Sequence, residues 1–150
     1  MLTVTKSVKG TFGNKTQDFT FTLTVQGADA SEEYTIKNQQ GQSTTIRSGG
    51  TFTLKDGETV TITLPKYVSI TVTEDSQDYV ATFQLGSGAE EKGNSKTFEL
   101  TGDNTLKVVN RRNVLIATGV DAHMALAAFF FVMALAGSAL IFIHPKGKEA

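Results

Sequence analysis

The 150-residue chain predicts an all-β fold, an Ig-like, Greek-key β-sandwich, followed by one C-terminal transmembrane helix. Three observations carry that reading. Apolar and polar residues alternate in short runs through the first 113 residues. Glycine, asparagine and aspartate punctuate those runs at short intervals. An uncharged apolar run of twenty residues, Met124 to Ile143, then follows them.

In order along the chain, Leu2, Val4 and Val8 share one face, and so do Phe19, Phe21, Leu23 and Val25. Further runs pair Phe52 with Leu54, Val60 with Ile62 and Leu64, and Val68 with Ile70 and Val72. Phe83 with Leu85, Phe98 with Leu100, and Leu106 with Val108 complete the set. Asp56-Gly57, between TFTLK and ETVTITL, is the sharpest hairpin signal. Eight or nine short antiparallel strands are expected, with a mobile polar loop from Gly86 to Ser95. The 22 threonines suit pleated, half-solvated surfaces.

At about 1.5 Å per residue, the run MALAAFFFVMALAGSALIFI covers about 30 Å, the thickness of a bilayer's hydrocarbon core. None of its side chains is ionisable, and its Leu, Ile, Phe and Val each favour insertion by about 0.3 to 0.6 kcal/mol at the helix centre. Lys146 and Lys148 behind it favour a cytoplasmic tail, while Arg111 and Arg112 ahead of it nearly balance them. The expected layout is a sandwich over 1–113, a linker over 114–123, a transmembrane helix over 124–143 and a basic cytoplasmic tail over 144–150. The opening MLTVTKSVKG lacks the apolar segment of a secretory signal, so the chain reads as a fragment of a longer protein or as one with a misplaced start.

Composition narrows the function. A net charge of −1 with no basic block gives no reason to expect a nucleic-acid partner. Absent cysteine excludes disulfides and thiolate metal sites. No metal-ligand spacing, phosphate loop or Ser/His/Asp pattern occurs, and His123 and His144 merely flank the apolar run, so no cofactor and no enzyme acting on external substrates is expected.

Three polar residues break the apolar stripes. By period-2 alternation Lys6 shares a face with Leu2, Val4 and Val8; Glu74 continues Val68, Ile70 and Val72; Asn110 continues Leu106 and Val108. Lys9 and Asp75 have the opposite parity and should face outward. A buried lysine or glutamate must be paired or neutralised. One reading is an ion pair of Lys6 with Glu74 beside a hydrogen-bonded Asn110, or stripes that reach solvent at the strand ends. The other is chemical. A neutral Lys6 amine is a nucleophile, the Asn110 carboxamide carbon its electrophile, and a protonated Glu74 the group that polarises the carbonyl and carries a proton to departing ammonia. The product is an isopeptide bond formed once, without turnover.

LTVTKSVKG, GTFTLKDGETVTITLP, ITVTE and LKVVNRR resemble the streptococcal-type pilin isopeptide-linkage domain, related to the B-type domains of Gram-positive collagen-binding surface proteins. The resemblance spans nearly all of residues 1–110. It implies that Lys6 joins Asn110 and that Glu74 promotes the reaction, the same three residues that alternation singles out. LIATG, at Leu115, Ile116, Ala117, Thr118 and Gly119, resembles an LPxTG-type cell-wall sorting signal when read with the span and basic tail behind it. That resemblance implies cleavage between Thr118 and Gly119 by sortase and transfer to peptidoglycan precursor or another pilin subunit.

Ile116 replaces the usual proline, and Ala117 replaces that of the pilin-like VPTG variant, so the motif is without the proline that fixes the bend presenting the scissile bond. LPKY at Leu64 to Tyr67 is only superficially like the YPK acceptor motif of backbone pilins, and Lys66 reads as a solvated turn residue. The sequence therefore suggests a surface structural protein of a Gram-positive bacterium, a basal pilin or an adhesin stalk, wall-linked or held in membrane lipid. The alternative is a ligand-binding adhesin domain that contacts a host molecule and is tethered without sortase.

Overall fold

A computed structural model describes residues 1–113, which form one compact unit, Met1–Asn113. The sorting-like motif Leu115 to Gly119, the expected span from Met124 to Ile143, both histidines and the basic tail lie outside the described residues. Among the described residues no helix is long and apolar enough to cross a membrane.

Among the described residues, eleven strands make two sheets. They are β1 (Leu2–Lys9), β2 (Phe19–Val25), β3 (Tyr34–Asn38), β4 (Ser43–Ile46), β5 (Thr51–Leu54), β6 (Thr59–Ile62), β7 (Ser69–Glu74), β8 (Val80–Leu85), β9 (Glu91–Lys92), β10 (Ser95–Glu99) and β11 (Asn104–Arg111). The larger sheet runs β4-β3-β6-β1-β11-β8-β9, and the smaller runs β10-β7-β2-β5. Their inner faces carry the alternating apolar sets, with Leu2, Phe19, Phe21, Leu23, Ile62 and Ile70 fully buried.

Two expectations change. The sheet is not wholly antiparallel: β1 and β11 lie side by side and parallel in mid-sheet, from Leu2↔Asn104 to Lys9↔Arg111. Alternation fixes which face a residue takes but not which strand it pairs with, so it does not give this parallel pairing, although the Lys6 to Asn110 reading already brings the first and last strands together. The strand count is also higher. β4 and β9 are exposed edge strands that need little inward patterning, while β3 alternates over only Tyr34 and Ile36. The polar stretch from Gly86 to Ser95 thus contains a short strand, with Thr82↔Lys92 and Phe83↔Glu91 paired.

The parallel pair sets the direction of the chain. Leu2 and Arg111 lie at opposite ends of adjacent strands, so a pull between them loads that ladder in shear.

Candidate functional site

Lys6 owes its direction to β1 and its fixed position to a turn. Its backbone N–H donates to the Glu58 carbonyl at 3.0 Å, and its own carbonyl accepts from the Gly57 N–H at 2.9 Å. The Val8 N–H, one alternation further, donates to Asp56 Oδ1 at 2.7 Å. The Asp56-Gly57 turn therefore grips β1 on both sides of Lys6 where its ladder with β6 ends, and Gly57 reaches this close turn at φ 78°, a conformation that glycine adopts freely.

Asn110 stands opposite Val8 across the parallel ladder, two positions beyond Val108, the partner of Lys6. Both side chains consequently project from the same face. Glu74 ends β7 on the other sheet, paired with Phe21 of β2, and faces them across the core.

The three meet at one oxygen. Lys6 Nζ donates to Glu74 Oε1, with both side chains fully shielded from solvent, and Asn110 Nδ2 donates to that same Oε1 at 3.2 Å. The Phe19 ring lies beside the amine, 4.2 Å from Nζ to its centroid, with Phe21 at 5.7 Å. Burial pushes the Lys6 amine down to about 8, against the opposing pull of Glu74. Burial likewise pushes the Glu74 carboxyl up, against the stabilising effect of Lys6 and Asn110. Both shifts favour a neutral amine beside a neutral acid.

Two further atoms fit that state. Glu74 Oε2 and Asn110 Oδ1 are buried without a hydrogen-bond partner, and both are acceptors when the carboxyl is ionised. A proton on Oε2 makes it a donor. Asn110 Oδ1, on the amide already bonded to this carboxyl, is the acceptor that lacks one.

Lys9 and Asp75, the residues of opposite parity, are exposed. Lys66 is exposed too, in a turn where Tyr67 takes φ 62°. Alternation did not reveal Phe19 as a neighbour of Lys6, nor Tyr79, which packs edge-on against Phe19 with centroids 5.1 Å apart. Tyr79 follows the polar turn Asp75-Ser76-Gln77-Asp78, where no periodic pattern exists to read.

Comparison with known proteins places this architecture. Residues 1–112 match the family described as Domain of unknown function (DUF7601). The chain belongs to that family.

This DUF7601 domain is homologous to a pilin from Streptococcus pyogenes serotype M1, 33% identical over 97% of the present chain and 48% of the relative. A Streptococcus pyogenes pilus tip adhesin, Cpa, is 30% identical over 79% of this chain and 18% of its own length. The chain spans about half the length of the first of these curated relatives and less of the second. Among solved structures, the major pilin from Streptococcus pyogenes superposes with a TM-score of 0.64 at 33% identity, covering 75% of this chain and 47% of that one. The pilus-presented adhesin Cpa gives a TM-score of 0.55 at 32% identity, over 75% and 27%. The DUF7601 domain therefore has a pilin fold, an all-β sandwich shared with these relatives.

Proposed function

We propose that the chain is a structural module of a Gram-positive cell surface, a basal pilin or adhesin stalk, whose sandwich is closed by a self-made Lys6 to Asn110 isopeptide bond. The observation that carries this is the convergence of Lys6 Nζ and Asn110 Nδ2 on Glu74 Oε1, with the Lys6 and Glu74 side chains fully shielded from solvent.

Proton transfer from Lys6 to the Glu74 carboxylate gives a neutral amine and a neutral acid, and with that proton on Oε2 the other oxygen, Oε1, stays free to relay protons between Nζ and Nδ2. The neutral Nζ attacks the Asn110 carboxamide carbon while the Glu74 O–H hydrogen-bonds the amide oxygen and stabilises the charge developing there. Glu74 then takes a proton from the attacking nitrogen and delivers one to the departing Nδ2. Ammonia leaves, a C–N bond to Lys6 replaces the C–N bond to Nδ2, and Glu74 ends in the protonation state in which it began the attack. No external substrate is consumed, so the step is a single-turnover self-modification.

The bond would close a loop of about a hundred residues and constrain the unfolded chain by about 4 to 5 kcal/mol on the cross-link entropy model. Force entering at Leu2 and leaving beyond Arg111 would pass through it, bypassing everything between Lys6 and Asn110. Such a module suits a filament or stalk under tension.

Attachment is proposed through Leu115 to Gly119, with sortase joining Thr118 to peptidoglycan precursor or to another pilin subunit, or through the apolar run held in membrane lipid. The homology to a streptococcal pilin and to a pilus tip adhesin supports the surface location.

Intact mass spectrometry of the full chain in detergent tests the bond. The chain should be one ammonia lighter than encoded, and Lys6→Ala, Glu74→Ala and Asn110→Ala should each restore the full mass. An unmodified wild-type mass would leave only the ion pair. For the anchor, wall digestion should release protein ending at Thr118, whereas recovery solely from detergent-soluble membrane would sink sortase processing.

A further inference from the structure

The connection between β7 and β8 follows Glu74 directly and ends at Tyr79. The Tyr79 N–H donates to the Ser76 carbonyl at 3.0 Å, and Gln77 takes φ 51°, so the turn is tight. Tyr79 itself is 6% exposed.

Its side chain touches three separate elements. The Asn14 N–H donates to Tyr79 Oη at 2.9 Å, and Oη donates to Gln17 Oε1 at 3.2 Å, which ties down the loop between β1 and β2. Its ring meets Phe19 edge to face, at 85° and 5.1 Å, and Phe19 is the ring lying 4.2 Å from Lys6 Nζ. On another side the Arg112 guanidinium stands 5.6 Å from the Tyr79 centroid, held also by Asp78 at 2.7 Å. Arg112 is two residues beyond Asn110, and its N–H donates to the Lys9 carbonyl at 3.1 Å.

We propose that Tyr79 is a positioning residue for the cross-link, its ring bracing Phe19 against the Lys6 amine on one side and the end of β11, through Arg112, on the other. This rests on the cross-link reading above. Tyr79 touches none of the reacting atoms. Through Phe19 and Arg112 it ties the surroundings of Lys6 and the segment just past Asn110 to the turn that follows Glu74, so the three groups come into register only when the end of β11 has docked. Placing reactants to within a fraction of an ångström is where a rigid aromatic brace matters most, since a displacement of about 1 Å can cost about a hundredfold in rate.

The test uses the full chain made by cell-free translation in detergent and quenched in denaturant at intervals, with intact mass scoring the fraction that has lost ammonia. Protease resistance, measured on an Asn110→Ala background, reports the folded fraction of each variant. Tyr79→Phe keeps both ring contacts and should cross-link within about threefold of the wild-type rate, whereas Tyr79→Leu keeps bulk but no ring and should be slower by about tenfold or more per folded molecule. Equal rates for Tyr79→Leu and wild type, or a slowing wholly accounted for by lost folded fraction, would overturn the positioning role. So would a Tyr79→Phe rate as low as that of Tyr79→Leu. A wild-type chain that never loses ammonia would instead overturn the cross-link itself, and this role with it.

Discussion

Among the described residues, two lysine–glutamate pairs bridge the two sheets, and they differ in their access to water. Lys6 on β1 meets Glu74 on β7 in mid-sandwich, with both side chains fully shielded. Lys96 on β10 meets Glu91 on β9 at the sandwich edge, 2.5 Å apart, with side chains 20% and 59% exposed. Both join the seven-stranded sheet to the four-stranded one. At the edge, water solvates both charges, and the contact is an ordinary screened ion pair. In the middle, desolvation works against both charges, and a carboxamide lies within reach. The difference teaches that the chemistry comes from the surroundings of the pair rather than from its composition.

The largest expected effect comes from breaking the buried pair on one side only. Glu74→Ala leaves the Lys6 amine in an apolar core and should cost about 3 to 5 kcal/mol for the uncompensated charge. Losing the cross-link should remove about 4 to 5 kcal/mol more on the entropy model. Denaturant unfolding of the full chain in detergent checks this. The double variant Lys6→Met/Glu74→Leu removes both charges together, so it should lose the cross-link share yet unfold at higher denaturant than Glu74→Ala. Equal midpoints for the two would mean that desolvation is not what distinguishes the central pair.

A pH dependence sharpens the comparison at smaller size. In Asn110→Ala the amine and carboxyl remain but cannot join. The folded Lys6 amine titrates near 8 and the unfolded one at 10.5, so between these values the unfolded chain binds more protons and stability rises with pH. The gain should be at most about 3 kcal/mol from Lys6. Glu74 acts in the opposite sense: its folded carboxyl lies above 4.5, so its contribution is full below that pH and declines as pH rises through the folded value. Unfolding of Asn110→Ala from pH 8 to 10.5, referred to Asn110→Ala/Lys6→Met, isolates the lysine. A flat difference would show that Lys6 is no more perturbed than a solvated amine.

Alternation in the sequence placed Lys6, Glu74 and Asn110 inward, because each continues an apolar stripe on a strand whose two faces differ sharply in burial. The same rule could not show that β1 and β11 pair directly and in parallel, since long-range pairing leaves no local period; only the Lys6 to Asn110 reading brought those strands together. Nor could it find β4, where STTI has one buried residue, or Tyr79, which ends an irregular turn. What was legible is the burial conflict. The pairing that answers it, and the contact of Tyr79 with Phe19, are tertiary relations between separate elements that leave no local pattern.

The smallest effect belongs to the edge pair. Lys96 shares parity with Phe98, so its stem lies against the sandwich while its amine reaches Glu91 and water. Lys96→Ala removes a screened attraction that also restrains two long side chains, and such pairs contribute about 0 to 1 kcal/mol. Some further loss should come from the stem, because β10 pairs only with β7 and the stem covers apolar surface there. Lys96→Met keeps that cover and drops the charge. It should therefore match wild type within about 0.5 kcal/mol and lose any salt dependence that Lys96 contributes. Neither substitution should alter ammonia loss, read by intact mass. A Lys96→Met chain as unstable as Glu74→Ala would erase the contrast between the two pairs and give the edge contact a structural weight that its exposure argues against.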